Sequence, residues 1–292
     1  MIPPQFAYFA PTTLQEALAL LRHHGSEAKL LSGGQSLIPL MKLRLATPAH
    51  LIDINRLPGL ASLQERNGFL RIGALTREAD LERSELLRTQ YPIVRDTARV
   101  IGDPLVRNLA TIGGNLAHAD PANDHPATLL ALEAEIVATG LEGERTIPVT
   151  EFFTDFFTTA LRPDEILTEI RIPAPTAGSG GAYVKLERKV GDFAIVGVAA
   201  QVTIDATGIC ARAGIGLTNV GPTPLKAYQA EAFLQGKRLY QDRITQAAQL
   251  TAEAARPEAD LRGSIAYKRD MVRVLTTRAL TRALERAGGH VT

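Results

Sequence analysis

The sequence predicts an α+β chain in two domains, and three observations carry that expectation. The first sixty residues alternate strand and helix patterns. Residues 173–181, Pro-Ala-Pro-Thr-Ala-Gly-Ser-Gly-Gly, hold no apolar anchor and read as a linker. Beyond it, three strand patterns are followed by three helical ones, an order that puts helices on one face of a sheet. The expected first domain is 1–175, with a small β/α part over about 1–57 and a larger part over about 58–175. The expected second domain is 182–288.

Each element has a local reason. Thr13-Leu14-Gln15-Glu16 is a capping-box pattern with Thr13 as N-cap. Leu14, Ala17, Leu18 and Leu21 then share one helical face, which Gly25 ends. Lys29-Leu30-Leu31 is a short strand, Ser36 to Met41 begins a helical turn, and His50 to Ile54 returns as a strand. Asn67-Gly68 between Ser62–Glu65 and Phe69–Ile72 is a strong hairpin signal. Thr76 is expected to cap a short helix through Arg83, and Tyr91 to Ile101 and Pro126 to Leu132 read as helices. Glu135 to Ala138 and Ile166 to Ile172 read as strands. In the second domain Ala182 to Arg188, Ile195 to Ile204 and Ile209 to Leu217 make a three-stranded sheet. Leu225 to Leu234, Arg243 to Ala254 and Ser264 to Arg286 are its helices.

Composition narrows the function. The 292 residues are 45% hydrophobic and 22% charged, with net charge +1, so no strong field favours nucleic acid or an anionic membrane. No apolar run approaches the ~20 residues of a membrane span. Met1-Ile2-Pro3-Pro4-Gln5 has no signal-peptide character, so a cytoplasmic location is expected. With one cysteine, Cys210, the chain cannot hold an iron–sulfur cluster of the usual four-cysteine kind. Cys210 lies in an apolar stretch and reads as a buried, inert thiol.

Two glycine pairs stand out, in Ser32-Gly33-Gly34-Gln35-Ser36 and Thr111-Ile112-Gly113-Gly114-Asn115. A glycine pair lets backbone N–H groups face outward with no Cβ in the way. Successive outward N–H groups form a nest for phosphate oxygens. Two such loops in one domain suggest a ligand with two phosphates, held from both sides, and so a dinucleotide. Neither loop has the Gly-x-Gly-x-x-Gly or Gly-Lys-Ser/Thr pattern, so Rossmann and NTPase sites are not supported. For the first loop alone, an ordinary tight turn stays open. Asp124, ahead of a helix, suits a ribose hydroxyl and equally an N-cap without ligand.

Other clusters are weaker. His118, Asp120, Asp124 and His125 have metal-ligand chemistry, but they lack a helical His-x-x-x-His pair, and Pro121 and Pro126 interrupt the spacing. No metal site is expected. His23-His24 suits a solvated helix end. Lys185, with Glu187, Arg188, Lys189 and Asp192, could face a ligand held by the first domain, or form a solvated strand edge. No Ser/His/Asp or Cys/His set stands out, so no catalytic residue is assigned and the chemistry falls to a cofactor.

The runs Ser32-Gly33-Gly34-Gln35-Ser36-Leu37-Ile38-Pro39-Leu40-Met41-Lys42 and Thr111-Ile112-Gly113-Gly114-Asn115-Leu116-Ala117-His118-Ala119-Asp120-Pro121 resemble the FAD-binding medium subunit of the molybdenum hydroxylases. The runs look like those of the carbon monoxide dehydrogenase medium chain and its aerobic-type relatives, and the same module is the middle domain of xanthine dehydrogenase. It covers essentially the whole chain. The resemblance implies a two-part FAD-binding domain of the vanillyl-alcohol oxidase type and a smaller C-terminal domain. It implies that Leu30, Leu31, Ser32, Gly33, Gly34, Gln35, Ser36 and Leu37 wrap the pyrophosphate. Thr111, Gly114 and Asn115 would meet it from the other side, and Asp124 would take the adenosine ribose. Ile101 and Leu167 would pack on flavin or adenine, Lys185 would lie near the isoalloxazine, and Asp192 and Phe193 would approach it. Two departures stand out. Gln35 replaces a histidine that many relatives have. Leu109-Ala110 stands where relatives often have Arg-Gly, which removes any ion pair made there.

The function so implied is an electron-transfer subunit carrying FAD. A molybdopterin-binding large subunit would oxidise the substrate, and a small subunit with two [2Fe–2S] clusters would pass the electrons on, in a dimer of heterotrimers. The acceptor would be a quinone, NAD⁺ or oxygen. A cationic Lys185 would favour reduced, anionic flavin, so Lys185→Met is expected to lower the potential. Two alternatives stay open: a self-contained FAD oxidoreductase of the same fold acting on a small substrate, for which no general base is evident, and a non-enzymatic nucleotide-binding module.

Overall fold

The computed structural model describes residues 2–290. The small part of the first domain contains β1 (Ala7–Phe9), α1 (Leu14–His24), β2 (Ala28–Leu31), α2 (Leu37–Lys42) and β3 (His50–Asp53). Its strands run parallel in the order β1-β3-β2. The α1 cap forms: Thr13 Oγ1 accepts from the Glu16 N–H at 3.2 Å, and Glu16 Oε2 accepts from the Thr12 N–H at 3.0 Å. Ala17, Leu18 and Leu21 then bury against Ile52 and Ile54, giving this part its own apolar core.

The larger part follows with β4 (Leu63–Arg66), β5 (Phe69–Gly73), α3 (Glu78–Arg83), α4 (Glu85–Thr89), α5 (Pro92–Arg99), α6 (Pro104–Arg107), α7 (Ile112–His118) and α8 (His125–Ala131). It closes with β6 (Glu135–Gly140), β7 (Gly143–Pro148), α9 (Val149–Phe152), β8 (Phe153–Asp155), β9 (Thr158–Thr159) and β10 (Ile166–Pro173). Five of these strands form an antiparallel sheet, β4-β5-β10-β6-β7. The β4–β5 hairpin turns on Asn67 and Gly68, both at positive φ (53° and 78°), as a type I′ turn requires. Thr76 does not cap α3. Its hydroxyl donates to the Ser62 carbonyl at 3.0 Å, tying the turn after β5 to the hairpin, and α3 starts after Arg77 without a side-chain cap.

The second domain contains β11 (Ser179–Leu186), β12 (Val196–Ile204), β13 (Cys210–Thr218), β14 (Leu225–Lys226), α10 (Tyr228–Leu234), α11 (Gln241–Ala254) and α12 (Ile265–Arg286). The sheet is antiparallel in the order β11-β12-β13-β14, so a fourth strand of two residues extends the three long ones. Residues 225–226 pair with β13 instead of opening the helix, because the Ala227 N–H is held by the Ile215 carbonyl at 2.9 Å. Helix α12 packs along β11 and β12. The linker is shorter than the sequence suggests: β11 already starts at Ser179, and Gly180 and Gly181 are buried strand residues. A Cβ on Gly180 would stand 2.3 Å from the Ala283 carbonyl oxygen, so this glycine serves close packing against α12 and not flexibility.

Candidate cofactor site

The two glycine-pair segments meet at the carboxyl edge of the small parallel sheet. Strand β2 ends at Leu31, and the chain then turns through residues 32–36 into α2. Among the described residues, no backbone N–H of Gly33, Gly34, Gln35 or Ser36 donates to a protein acceptor. These half-buried donors are free for a ligand. Gly34 has φ 73°, a conformation that lets the run of N–H groups curve. Leu30 and Leu31 lead in from β2, Leu37 opens α2, and the Ser36 hydroxyl makes no capping bond.

The second pair is built differently. The sequence suggested two nests of outward N–H groups, but Gly113 and Gly114 lie inside α7. Their donors are committed: Ile112 N–H to the Thr76 carbonyl, Gly113 N–H to Ala74, Asn115 N–H to Thr111, and Gly114 N–H to Thr111 Oγ1. These glycines give proximity instead. A Cβ on Gly113 would lie 2.5 Å from the Ala74 Cβ, and one on Gly114 would lie 2.9 Å from Ser32 Oγ. Thr111 Oγ1 stands 3.1 Å from Ser32 Oγ. Gly33 rests on the backbone of the second segment, where a Cβ would come within 2.4 Å of the Leu109 carbonyl oxygen. The buried side-chain oxygen of Asn115 has no partner in the protein.

From this junction a hydrogen-bonded path runs to the second domain. Asn123 Nδ2 donates to the Asn115 carbonyl at 2.7 Å. Its neighbour Asp124 begins α8 but does not cap it. The Asp124 carboxylate accepts from the Tyr183 hydroxyl at 2.5 Å and from Lys185 Nζ at 3.0 Å. Lys185 also donates to the Val100 carbonyl at 2.9 Å, beside Ile101. Lys185 is therefore no solvated strand edge: its side chain is 2% exposed. Burial raises the Asp124 carboxyl above its ordinary range against the pull of Lys185, and burial beside Asp124 raises the Tyr183 phenol well above its own. Each Asp124 oxygen already accepts one bond, so a ribose hydroxyl would share the carboxylate with Tyr183 and Lys185.

The other residues of interest are more scattered. Ile101 is nearly buried, in the turn against which Gly191 packs. Leu167 sits beside a register shift in β10 and belongs to the core with Ile112 and Leu116. Asp192 is held by Arg262 and Arg188, and Phe193 is half-exposed. Among the described residues no three His, Cys, Asp or Glu side chains gather as a metal site. His118 packs on Phe157, Asp120 accepts from the Ala122 N–H, and His125 pairs with Glu78 at 2.8 Å in full burial. His24 stacks on His50 at 3.8 Å and does not stand free at its helix end. Cys210 is buried, and burial raises its thiol to about 11.

Sequence reasoning missed Asn55 and Arg77. Asn55 Nδ2 donates to the Ser32 carbonyl at 2.8 Å, and Arg77 donates to Asn55 Oδ1 at 2.6 Å and to the Leu109 carbonyl. So where Leu109-Ala110 removes a possible arginine, a guanidinium still reaches this backbone. One signal could have found Asn55. It follows a strand whose end lies beside the first glycine loop, and ligands of parallel sheets collect outside strand carboxyl ends.

Residues 4–175 match the family described as FAD binding domain in molybdopterin dehydrogenase, and residues 181–283 match the CO dehydrogenase flavoprotein C-terminal domain. The chain is 44% identical to the carbon monoxide dehydrogenase medium chain of Hydrogenophaga pseudoflava, covering 98% of this chain and 99% of that one. It is 40% identical to the 6-hydroxypseudooxynicotine dehydrogenase complex subunit alpha of Paenarthrobacter nicotinovorans, covering 98% and 97%. Among solved structures, it superimposes with TM-score 0.95 on a chain of the H. pseudoflava carbon monoxide dehydrogenase that lacks the Mo-pyranopterin moiety, at 46% identity over 98% of this chain and 99% of that one.

Proposed function

Since this chain belongs to the family of FAD-binding domains in molybdopterin dehydrogenases, we propose that it is the flavin-bearing electron-transfer subunit of a heteromeric molybdenum hydroxylase. Its partners are a molybdopterin-binding large subunit and a small subunit with [2Fe–2S] clusters, assembled as a dimer of heterotrimers in the cytoplasm. Electrons reach this chain from the clusters and leave to an external acceptor. The relatives named as a medium chain and as the subunit of a complex support this division of labour, as does a single, buried cysteine. Among the described residues no helix is long and apolar enough to cross a membrane.

One observation carries the reading: among the described residues the N–H groups of Gly33 to Ser36 have no protein acceptor, in a loop that a second segment meets through Ser32, Thr111 and Gly114. The fit to a diphosphate is direct. The first segment offers donors, and the glycines let the two segments close on each other where a Cβ would clash. FAD, when bound, supplies a redox centre able to take electrons singly and pass on two. The residues of this chain bind and orient it. Leu30 to Leu37 wrap the diphosphate, and Thr111, Gly114 and Asn115 hold the opposite side by proximity. Ile101 and Leu167 would bound the rings, and the Asp124–Lys185 pair, which joins the first domain to the second, would border the site.

The test is to purify the chain with whatever accompanies it, record the absorbance spectrum, and assay iron and molybdenum. Flavin bands with iron and molybdenum in accompanying chains are expected. Flavin with no partner would contradict the subunit assignment, and a colourless chain that binds ADP alone would contradict the flavin.

A further inference from the structure

The glycine cradle offers N–H groups and hydroxyls, yet an FAD diphosphate carries two negative charges. Three cations around the candidate site are not equivalent. Lys185 is neutralised by Asp124 at 3.0 Å and has Glu187 at 3.6 Å. Arg107 is paired with Glu82 at 2.8 Å. Arg77 differs: among the described residues no carboxylate lies within 4.0 Å of its guanidinium. Asp53 and Asp80 act on it only from farther away, and burial disfavours its charge.

Its place in the fold is specific. Arg77 spans the gap between the two parts of the first domain. One guanidinium nitrogen donates to the Leu109 carbonyl, and the other donates to Asn55 Oδ1 at 2.6 Å. That Leu109 oxygen is the same atom that lies against Gly33 of the first loop. Asn55 in turn donates to the carbonyl of Ser32 at 2.8 Å and to Asp53 Oδ1 at 2.7 Å, while Asp53 Oδ2 accepts from the Tyr8 hydroxyl at 2.6 Å. Arg77 thus touches the backbone of the second glycine segment directly and that of the first through one amide. Neither of its acceptors is charged. An arginine carries five N–H donors and stays protonated, so the remaining donors and the whole positive charge are available at the junction.

We propose that Arg77 supplies the positive charge for the cofactor diphosphate and, with Asn55, sets the separation of the two segments that hold it. This rests on the flavin reading above and adds a binding residue that neither glycine motif contains. Half-burial keeps the charge from being screened as a surface arginine would be. Two neutral anchors fix its direction without cancelling it. Asn55 is a positioning residue, acting through Arg77 and the Ser32 carbonyl.

The test uses the full chain stripped of flavin, titrated with FAD, with ADP and with riboflavin at low and at high salt. For Arg77→Met, FAD and ADP affinity falls by about tenfold or more, the size of one lost charge-assisted hydrogen bond. The salt dependence of both flattens, and riboflavin, which has no phosphate, is unaffected. Arg77→Lys keeps the salt dependence with part of the affinity, and serves if the methionine variant folds poorly. Asn55→Ala weakens FAD binding but leaves its salt dependence unchanged. An Arg77→Met affinity within twofold of wild type, or an equal loss for riboflavin, overturns the proposal while leaving the flavin reading intact. Failure of the wild-type chain to bind FAD overturns both.

Discussion

Lys185 Nζ lies 3.0 Å from Asp124 Oδ2, and both side chains are almost fully withdrawn from water. The pair joins β11 of the second domain to the start of α8 in the first, with the Tyr183 hydroxyl on the other carboxylate oxygen. Two charges taken out of water depend on one another, so removing one strands the other. Lys185→Met is therefore expected to cost about 3–5 kcal/mol of stability. Adding Asp124→Asn should recover part of that loss. A double-mutant cycle in urea checks it, and strictly additive losses would contradict the pairing.

The same pair revises the expected redox effect of Lys185. Counting the lysine as a free cation predicts that Lys185→Met lowers the flavin potential at any pH. Burial raises Asp124 and Lys185 opposes that rise, so in the variant its carboxyl holds a proton to higher pH than in wild type. Wherever Asp124 is protonated in the variant, the net charge beside a flavin bound here barely changes. The potential of Lys185→Met should stay close to wild type while Asp124 is protonated and fall below it as rising pH ionises Asp124. Spectroelectrochemical titration across pH measures this, and a drop that is the same at every pH would refute it.

His24 gives the small β/α part a pH dependence. Loss of hydration, then the adjoining His50 and His23 rings, lower its pKa below the ordinary 6.5, and Glu27 opposes them. Its folded pKa is depressed, so the unfolded chain binds the proton first. Its contribution is complete above pH 6.5 and is lost as pH falls below that value toward the folded pKa. His118 is lowered by burial and adds a similar dependence, so the comparison must be with a variant. His24→Phe, which keeps an aromatic ring beside Phe9 and His50, should flatten the loss of urea stability between neutral and mildly acidic pH. A slope equal to that of wild type would count against the stack.

Much of this architecture is legible locally. The Thr13–Glu16 cap, the Asn67-Gly68 hairpin and the long strands of the second sheet are decided by neighbours in sequence, so their residues announce them. What escapes is decided across the fold. Gly180 and Gly181 look like linker residues because flexibility and close approach both ask for a missing Cβ, and only the position of α12 separates the two uses. Gly113 and Gly114 look like a second nest for the same reason, yet sit inside a helix with their donors spent. Asp124 has the local credentials of an N-cap, but Tyr183 and Lys185 claim its carboxylate from another domain. Ser32, Gly33, Thr111 and Gly114 were visible as motifs. Asn55 and Arg77, which join them, belong to no motif.

The proposed function requires the Gly33 and Gly114 segments to hold FAD between them. Its most direct test is a fluorescence titration of FAD into the flavin-free full chain, compared with Gly33→Ala. In that variant the new Cβ would stand 2.4 Å from the Leu109 carbonyl oxygen and push the segments apart. Saturable quenching at one site in the wild-type chain, competition by ADP, and loss of binding in Gly33→Ala with the cooperative thermal transition of the chain retained are expected. Wild-type affinity in Gly33→Ala, or no saturable FAD binding by the wild-type chain, would contradict it.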